Sequence, residues 1–271
     1  MAYRMKTSPA ILAAGLVLGI MTAAGQSTAY RGPRTPDGKP NLNGIWQAMN
    51  TANWDLLDHA AAKSQVLVLG AQGAEPGGMG VVEGNQIPYL PAALAKKQQN
   101  FEHRLSDDPE IKCYMPGVPR ANYMPFPFQI VQTPQAILIA YEFASASRTV
   151  YMEKAPPAPA DSWMGHSVGH WDGDTLVIEV TSNNDQTWFD RAGDYHSDAL
   201  KVTERYTPVN GDVINYEATI EDPNVFSRPW KIRFPLYKHL EKNAQLMEFK
   251  CVEFVEDLIY GPYRKKPITV K

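Results

Sequence analysis

Cysteine is nearly absent: the 271-residue chain has two, Cys113 and Cys251, with no other ligand types at metal spacing around them. That argues against a zinc ribbon or an iron–sulfur centre held by thiolates. Basic residues do not cluster, and 26 Lys and Arg against 29 Asp and Glu leave a net charge of −3. Nucleic acid and anionic membranes are therefore poor partners. There is no Gly-x-Ser-x-Gly elbow, no Gly-rich phosphate loop and no βαβ alternation, which removes the common α/β enzyme architectures. The apolar run from Ala10 to Ala24 falls short of the roughly 20 residues of a comfortable membrane span.

That run follows Arg4 and Lys6 and precedes small-x-small sites at Ala23-Ala24-Gly25 and Ser27-Thr28-Ala29. The three-part anatomy is that of a secretory signal peptide over residues 1–29, with an uncleaved anchor as the alternative. The expectation is a periplasmic or secreted protein with no membrane span after cleavage. Loss of Arg4 and Lys6 makes the mature chain two charges more negative. In an oxidising compartment Cys113 and Cys251 are expected to form a disulfide, the alternative being two separate buried thiols.

Residues 30–125 read as an irregular arm rich in Gly and Pro, with one helix between Pro91 and Leu105 that sets Leu94, Phe101 and Leu105 on one side. From residue 126 to 271 the character changes. Short runs rich in Val, Ile, Tyr and Thr, among them "FQIVQT", "AILIAYEFA", "RTVYME", "TLVIEVT", "VINYEATIE" and "LMEFKCVEF", alternate with turn signals. Eight or nine short strands joined by tight turns predict a mainly β fold, an antiparallel up-and-down barrel of the lipocalin-like kind. A β-sandwich is the alternative.

Two segments align without gaps: "HSVGHWDGDTLVIEVT" (His166–Thr181) on "ERYTPVNGDVINYEAT" (Glu204–Thr219). In the second, a three-residue loop Val209-Asn210-Gly211 sorts the faces cleanly. Leu200, Val202, Tyr206, Ile214, Tyr216, Ala218 and Ile220 then share one face, and Lys201, Thr203, Arg205, Asn215, Glu217 and Glu221 the other. Glu204 falls on the apolar face, where a carboxylate has to be paired, protonated or functional. Transferring the same loop to the first hairpin turns His166, Val168 and His170 inward. A two-residue Asp-Gly turn would instead swing both histidines outward. On a strand, residues four apart are separated by about 13 Å, so His166 and His170 do not bind one metal as a helical His-x-x-x-His does.

By strand parity His196 and Asp198 point inward near the barrel mouth. His166, His196 and Glu204 are then candidate acid–base residues. No cofactor is required, but the same three are the ligand types that zinc or iron accepts. Trp163, Trp188 and Trp230 with Tyr141, Tyr206 and Tyr216 would line an interior for a hydrophobic or aromatic small molecule. Arg120, in "KCYMPGVPR", could reach an anionic ligand from its loop.

The stretches "PDGKPNLNGIW", "DPEIKCYMPGVPR", "GHSVGHWDGDTLVIEV", "HSDALKVTERY" and "IEDPNVFSRPW" together resemble an uncharacterised secreted bacterial family, over nearly the whole mature chain. The resemblance implies export and a common fold, and its motifs contain His166, His196, Glu204 and Arg205. It carries no reaction. At the level of the barrel the chain is similar to lipocalin-type calycins, an analogy of fold. The expected activity is binding of a small apolar molecule with His/Glu acid–base chemistry, as in a lyase, isomerase or hydratase. The alternatives are a non-catalytic carrier, a metal-dependent enzyme, and an envelope protein with Glu204 neutralised in an interior pair.

Overall fold

The computed structural model describes residues 1, 30–63 and 74–252. The expected leader, Met1 apart, lies outside the described residues. Nine strands close into one barrel in chain order. They are β1 (Gly44–Ala48), β2 (Phe128–Gln132), β3 (Ala136–Tyr141), β4 (Ser147–Met152), β5 (His166–Asp172), β6 (Thr175–Thr181), β7 (Lys201–Pro208), β8 (Val213–Glu221) and β9 (Trp230–Lys238). The fold is mainly β, as the alternating runs predict, and the sandwich alternative falls.

Two features depart from the expected all-antiparallel meander. The arm supplies β1, which pairs antiparallel with both β2 and β9 and so closes the barrel. The described part of "LMEFKCVEF" (residues 246–252) forms no strand. Second, β4 and β5 run parallel, joined by the Pro-rich connection 153–165. The two facts are linked. Nine strictly alternating strands would leave β1 and β9 pointing the same way, and one parallel step restores their antiparallel closure. Gly169 sits at that step, opposite Met152. A Cβ there would lie 2.8 Å from Val150 Cγ1, so glycine is what lets the two strands approach.

The barrel interior follows the pleat. Phe128, Ile130, Ile137, Ile139, Val150, Ile178, Val180, Val202, Ile214, Ala218, Ile220, Ile232 and Leu236 are all at most 1% exposed, because alternate side chains of a strand face the same side. The second hairpin sorts its faces as expected, with its turn one residue later. Val209 N donates to Val213 O, and Asn210, Gly211 and Asp212 make the turn. Moving a three-residue turn by one position preserves which residues share a face.

The first hairpin does not share that loop. Asp172 pairs with Thr175, leaving the two-residue turn Gly173-Asp174 with Gly173 at φ 60°, where a type II′ turn requires glycine. Changing the loop from three residues to two reverses the faces of β5 relative to β6, whose Leu176, Ile178 and Val180 stay inward. Ser167 and Gly169 are buried, and His166, Val168 and His170 point outward.

The helix forms as α1 (Pro91–Glu102), followed by a single turn α2 (Arg104–Asp107). Its expected apolar side is not what it buries. Leu94 and Phe101 are exposed, while Ala93 and Asn100 face the β6–β7 connection and Asn100 Nδ2 donates to Gly193 O. Gly193, at φ 87°, allows that close approach, since a Cβ would meet Phe101 N at 2.8 Å. No helix among the described residues is long and apolar enough to cross a membrane. Cys113 and Cys251 form a disulfide with 5.6 Å between their Cα atoms.

Candidate functional site

Glu204 faces the barrel interior from β7 and is 0% exposed. Its partner comes from across the barrel. Arg148 on β4 shares inward parity with Val150 and Met152. Its Nη1 donates to Glu204 Oε2 at 2.6 Å and its Nη2 to Oε1 at 3.0 Å, a two-pronged, charge-assisted contact of the strong kind. Oε1 also accepts from Asn122 Nδ2 at 2.7 Å, Tyr216 OH at 2.8 Å and Tyr206 OH at 3.1 Å. Arg148 Nε donates to Tyr141 OH, whose own proton goes to Asn122 Oδ1.

Burial works against the guanidinium, yet Glu204, Tyr141 and Tyr206 hold Arg148 well above its ordinary value. Burial and then the Glu204 charge push Tyr206 and Tyr216 well above theirs. Burial takes Tyr141 to about 12, against the pull of Arg148. The three phenols therefore stay protonated donors at neutral pH. Every polar side-chain atom of this group has a partner. The network ties β3, β4, β7, β8 and the 120–122 turn together and offers no atom to a substrate.

The other expected site residues lie elsewhere. His166 packs its ring 5.5 Å from Tyr151 on the outer face, so it and Glu204 are on opposite sides of the sheet. His196 is buried in the β6–β7 connection. There its Nδ1 is 2.8 Å from Ser197 O and its Nε2 is 2.6 Å from Thr187 Oγ1. Burial lowers its pKa against the opposing effects of the Ser197 carbonyl and Asp222, so the imidazole is neutral. Asp198 is exposed. The expected zinc or iron ligands His166, His196 and Glu204 thus do not converge, because each is held by a different neighbourhood. Trp163 packs against Tyr114 with ring centroids 4.8 Å apart and the rings tilted by 56°. Tyr206 and Tyr216 point inward as expected, their hydroxyls on Glu204. Arg205 lies on the outer face and donates to Asp172 at 2.8 Å.

That outer face carries a groove of about 460 Å³ across β7, β8 and β9. Arg205, Glu217 and Arg233 form one cross-strand row and Thr207, Asn215 and Pro235 the next. Arg233 Nη2 reaches Glu83 at 3.3 Å and Glu217 at 3.2 Å.

A second buried charge cluster lies in the loops outside the strands. Arg120 donates to Glu110 at 2.7 Å, to Asp108 at 3.2 Å and through Nε to Asn53 at 2.8 Å. Arg191 clasps Glu110 from the other side with bonds of 2.6 and 2.7 Å. Burial would raise Glu110, but Arg191 and Arg120 bring it down to about 2. Arg120 is thus consumed by structure, with no free side for a ligand. Comparison with protein-family models, with curated proteins and with solved structures returns no match. The reading of the site rests on its own geometry.

Sequence reasoning missed Arg148 and Asn122. Arg148 had a signal: an arginine in the same alternation as Val150 and Met152 is inward by parity and answers the question Glu204 raises. Asn122, in a turn of 3-10 helix (Arg120–Asn122), had none.

Proposed function

We propose that this is an exported small-molecule carrier whose ligand sits in the outer β7–β9 groove, and that the barrel interior is a closed apolar core built around one satisfied polar network. The observation that carries the reading is the completeness of the Glu204 network. Glu204, Arg148, Tyr206, Tyr216, Tyr141 and Asn122 are each at most 5% exposed and are spent on one another. Acid–base chemistry by His166 and Glu204 would need both on one side of the sheet. The groove, by contrast, lies within the roughly 300–1,000 Å³ of small-ligand sites. Its arginines alternate with Glu217, and Pro235 gives it an apolar floor, which suits an aromatic or amphiphilic molecule bearing a carboxylate. Exposed ion pairs such as Arg205–Asp172 are worth at most about 1 kcal/mol, so a ligand can exchange with them. The leader-like residues 1–29 and the Cys113–Cys251 disulfide support export.

Calorimetric titration of the purified protein with a panel of aromatic carboxylates tests this. Binding weakened at least tenfold in both Arg205→Ala and Arg233→Ala, with no product formed, is the expected result. Binding that survives both changes, or turnover lost in a folded Glu204→Gln variant, would return the ligand to the interior.

A further inference from the structure

A third acidic group differs from the other two clusters. Asp55 lies beyond β1, and Asp190 and Asp194 lie in the β6–β7 connection. Each offers a carboxylate oxygen, and these oxygens are within 4.8 Å of one another. Asp190 is 0% and Asp194 1% exposed. The backbone orients the group: Leu56 N and Asp194 N donate to the two oxygens of Asp190 at 2.9 and 3.1 Å, and Leu57 N donates to Asp55 at 2.8 Å. Tyr89 OH donates to Asp194 Oδ1 at 2.7 Å.

One atom is left over. Asp194 Oδ2 is sealed from solvent and accepts no hydrogen bond. Lys97 on α1 approaches it to 4.0 Å, beyond hydrogen-bond reach, and keeps a fifth of its side chain in solvent. Leaving a buried acceptor unmade costs about 1–3 kcal/mol, more when it is charged. Three adjacent carboxylates with one distant ammonium are short of positive charge.

We infer that Asp55, Asp190 and Asp194 bind one divalent cation, Ca²⁺, with Asp194 Oδ2 as a direct ligand. The donors are all hard oxygens, which select Ca²⁺ or Mg²⁺ over zinc or iron. Ca²⁺–oxygen distances of about 2.3–2.6 Å set opposed ligands about 4.6–5.2 Å apart, whereas Mg²⁺ draws them to about 4.0–4.2 Å. The oxygens lie within 4.8 Å of one another, inside the calcium sphere, and the flexible calcium shell suits carboxylates held by backbone N–H groups, whereas Mg²⁺ demands near-ideal octahedral geometry and keeps several waters. Water completes the shell. The bound ion would join the segment after β1 to the β6–β7 connection and, through Tyr89, to the start of α1. This inference is independent of the outer groove.

The test uses the full mature chain, stripped with EDTA and dialysed. Tb³⁺ luminescence excited through tyrosine, displaced by Ca²⁺, reads the site because Tyr89 touches Asp194. The expected result is one Ca²⁺ per chain, a melting temperature several degrees higher in 1 mM Ca²⁺, and at least tenfold weaker Mg²⁺. Asp194→Asn and Asp55→Asn should each weaken Ca²⁺ at least tenfold, and Lys97→Met should tighten it severalfold by removing the competing ammonium. A wild-type chain that neither binds Tb³⁺ nor gains stability would overturn the site and leave a proton shared by Asp190 and Asp194 in its place. So would a calcium response unchanged in both aspartate variants. An equal response to Mg²⁺ overturns the assignment to calcium.

Discussion

Glu204 and Asp194 are equally buried, yet one sits in a finished network and the other does not. Glu204 has a bidentate arginine and three neutral donors across the barrel. Asp194 has two other carboxylates for neighbours and an oxygen with nothing to accept from. The difference teaches what burial of an acid means. A complete set of protein partners marks a structural core, and an incomplete one marks a place where something from outside the chain belongs. The strands can supply the first kind, because inward parity forces side chains from opposite walls to meet. The loops assemble the second, where backbone N–H groups orient carboxylates without neutralising them.

The sharpest way to break this comparison is to remove one partner from each cluster. Arg148→Met leaves Glu204 charged and unpaired in the core and should cost about 3–5 kcal/mol of stability by urea unfolding. Asp194→Asn, in calcium-free protein, should do the opposite and raise the melting temperature, since it relieves repulsion. Equal losses in the two variants would erase the distinction.

A smaller effect is expected at the disulfide. Its 138-residue loop ties Cys113, next to the Glu110 cluster, to the segment beyond the barrel. Replacing both cysteines with serine should cost about 2–4 kcal/mol. Hydrogen exchange should place the loosening in residues 103–124, leaving β5 to β9 protected. Uniform loss of protection would mean that barrel and loops unfold as one unit.

Acid should act on the Arg120 cluster. Glu110 is lowered from 4.5 to about 2 in the folded chain, so its contribution is complete above the unfolded value and is lost as pH falls from about 4.5 toward 2. Asp108 is raised, by burial foremost. A raised carboxyl favours the folded state at low pH, so it partly offsets that loss. Stability measured between pH 5 and 2 should therefore fall less steeply in Glu110→Gln than in the wild type. The smallest effect belongs to His166→Ala, on the outer face, within about 0.5 kcal/mol.

Much of β7 and β8 was legible in the residues. Leu200 to Ile220 alternates so regularly that one register buries Leu200, Val202, Tyr206, Ile214, Tyr216, Ala218 and Ile220 together, and the position of Glu204 follows from it. His166 was not legible, because its face hangs on one residue of loop length and two aligned hairpins turned differently. The arm's strand β1 was hidden in "NLNGIW", too short a run to mark itself against the surrounding turn residues. The acidic triad was equally hidden, with Asp55 and Asp190 separated by 135 positions.

By itself, then, the sequence determined strands β2 to β9, their inner faces in the second hairpin, and the presence of an acid in the core. Periodicity of two is a local property and is written in neighbouring residues. Only the tertiary structure decided that Arg148 neutralises that acid, that β4 and β5 run parallel so that β1 can close on β9, and that Asp55 meets Asp190 and Asp194. These are contacts between distant segments. They depend on how the whole chain closes, which no local pattern encodes.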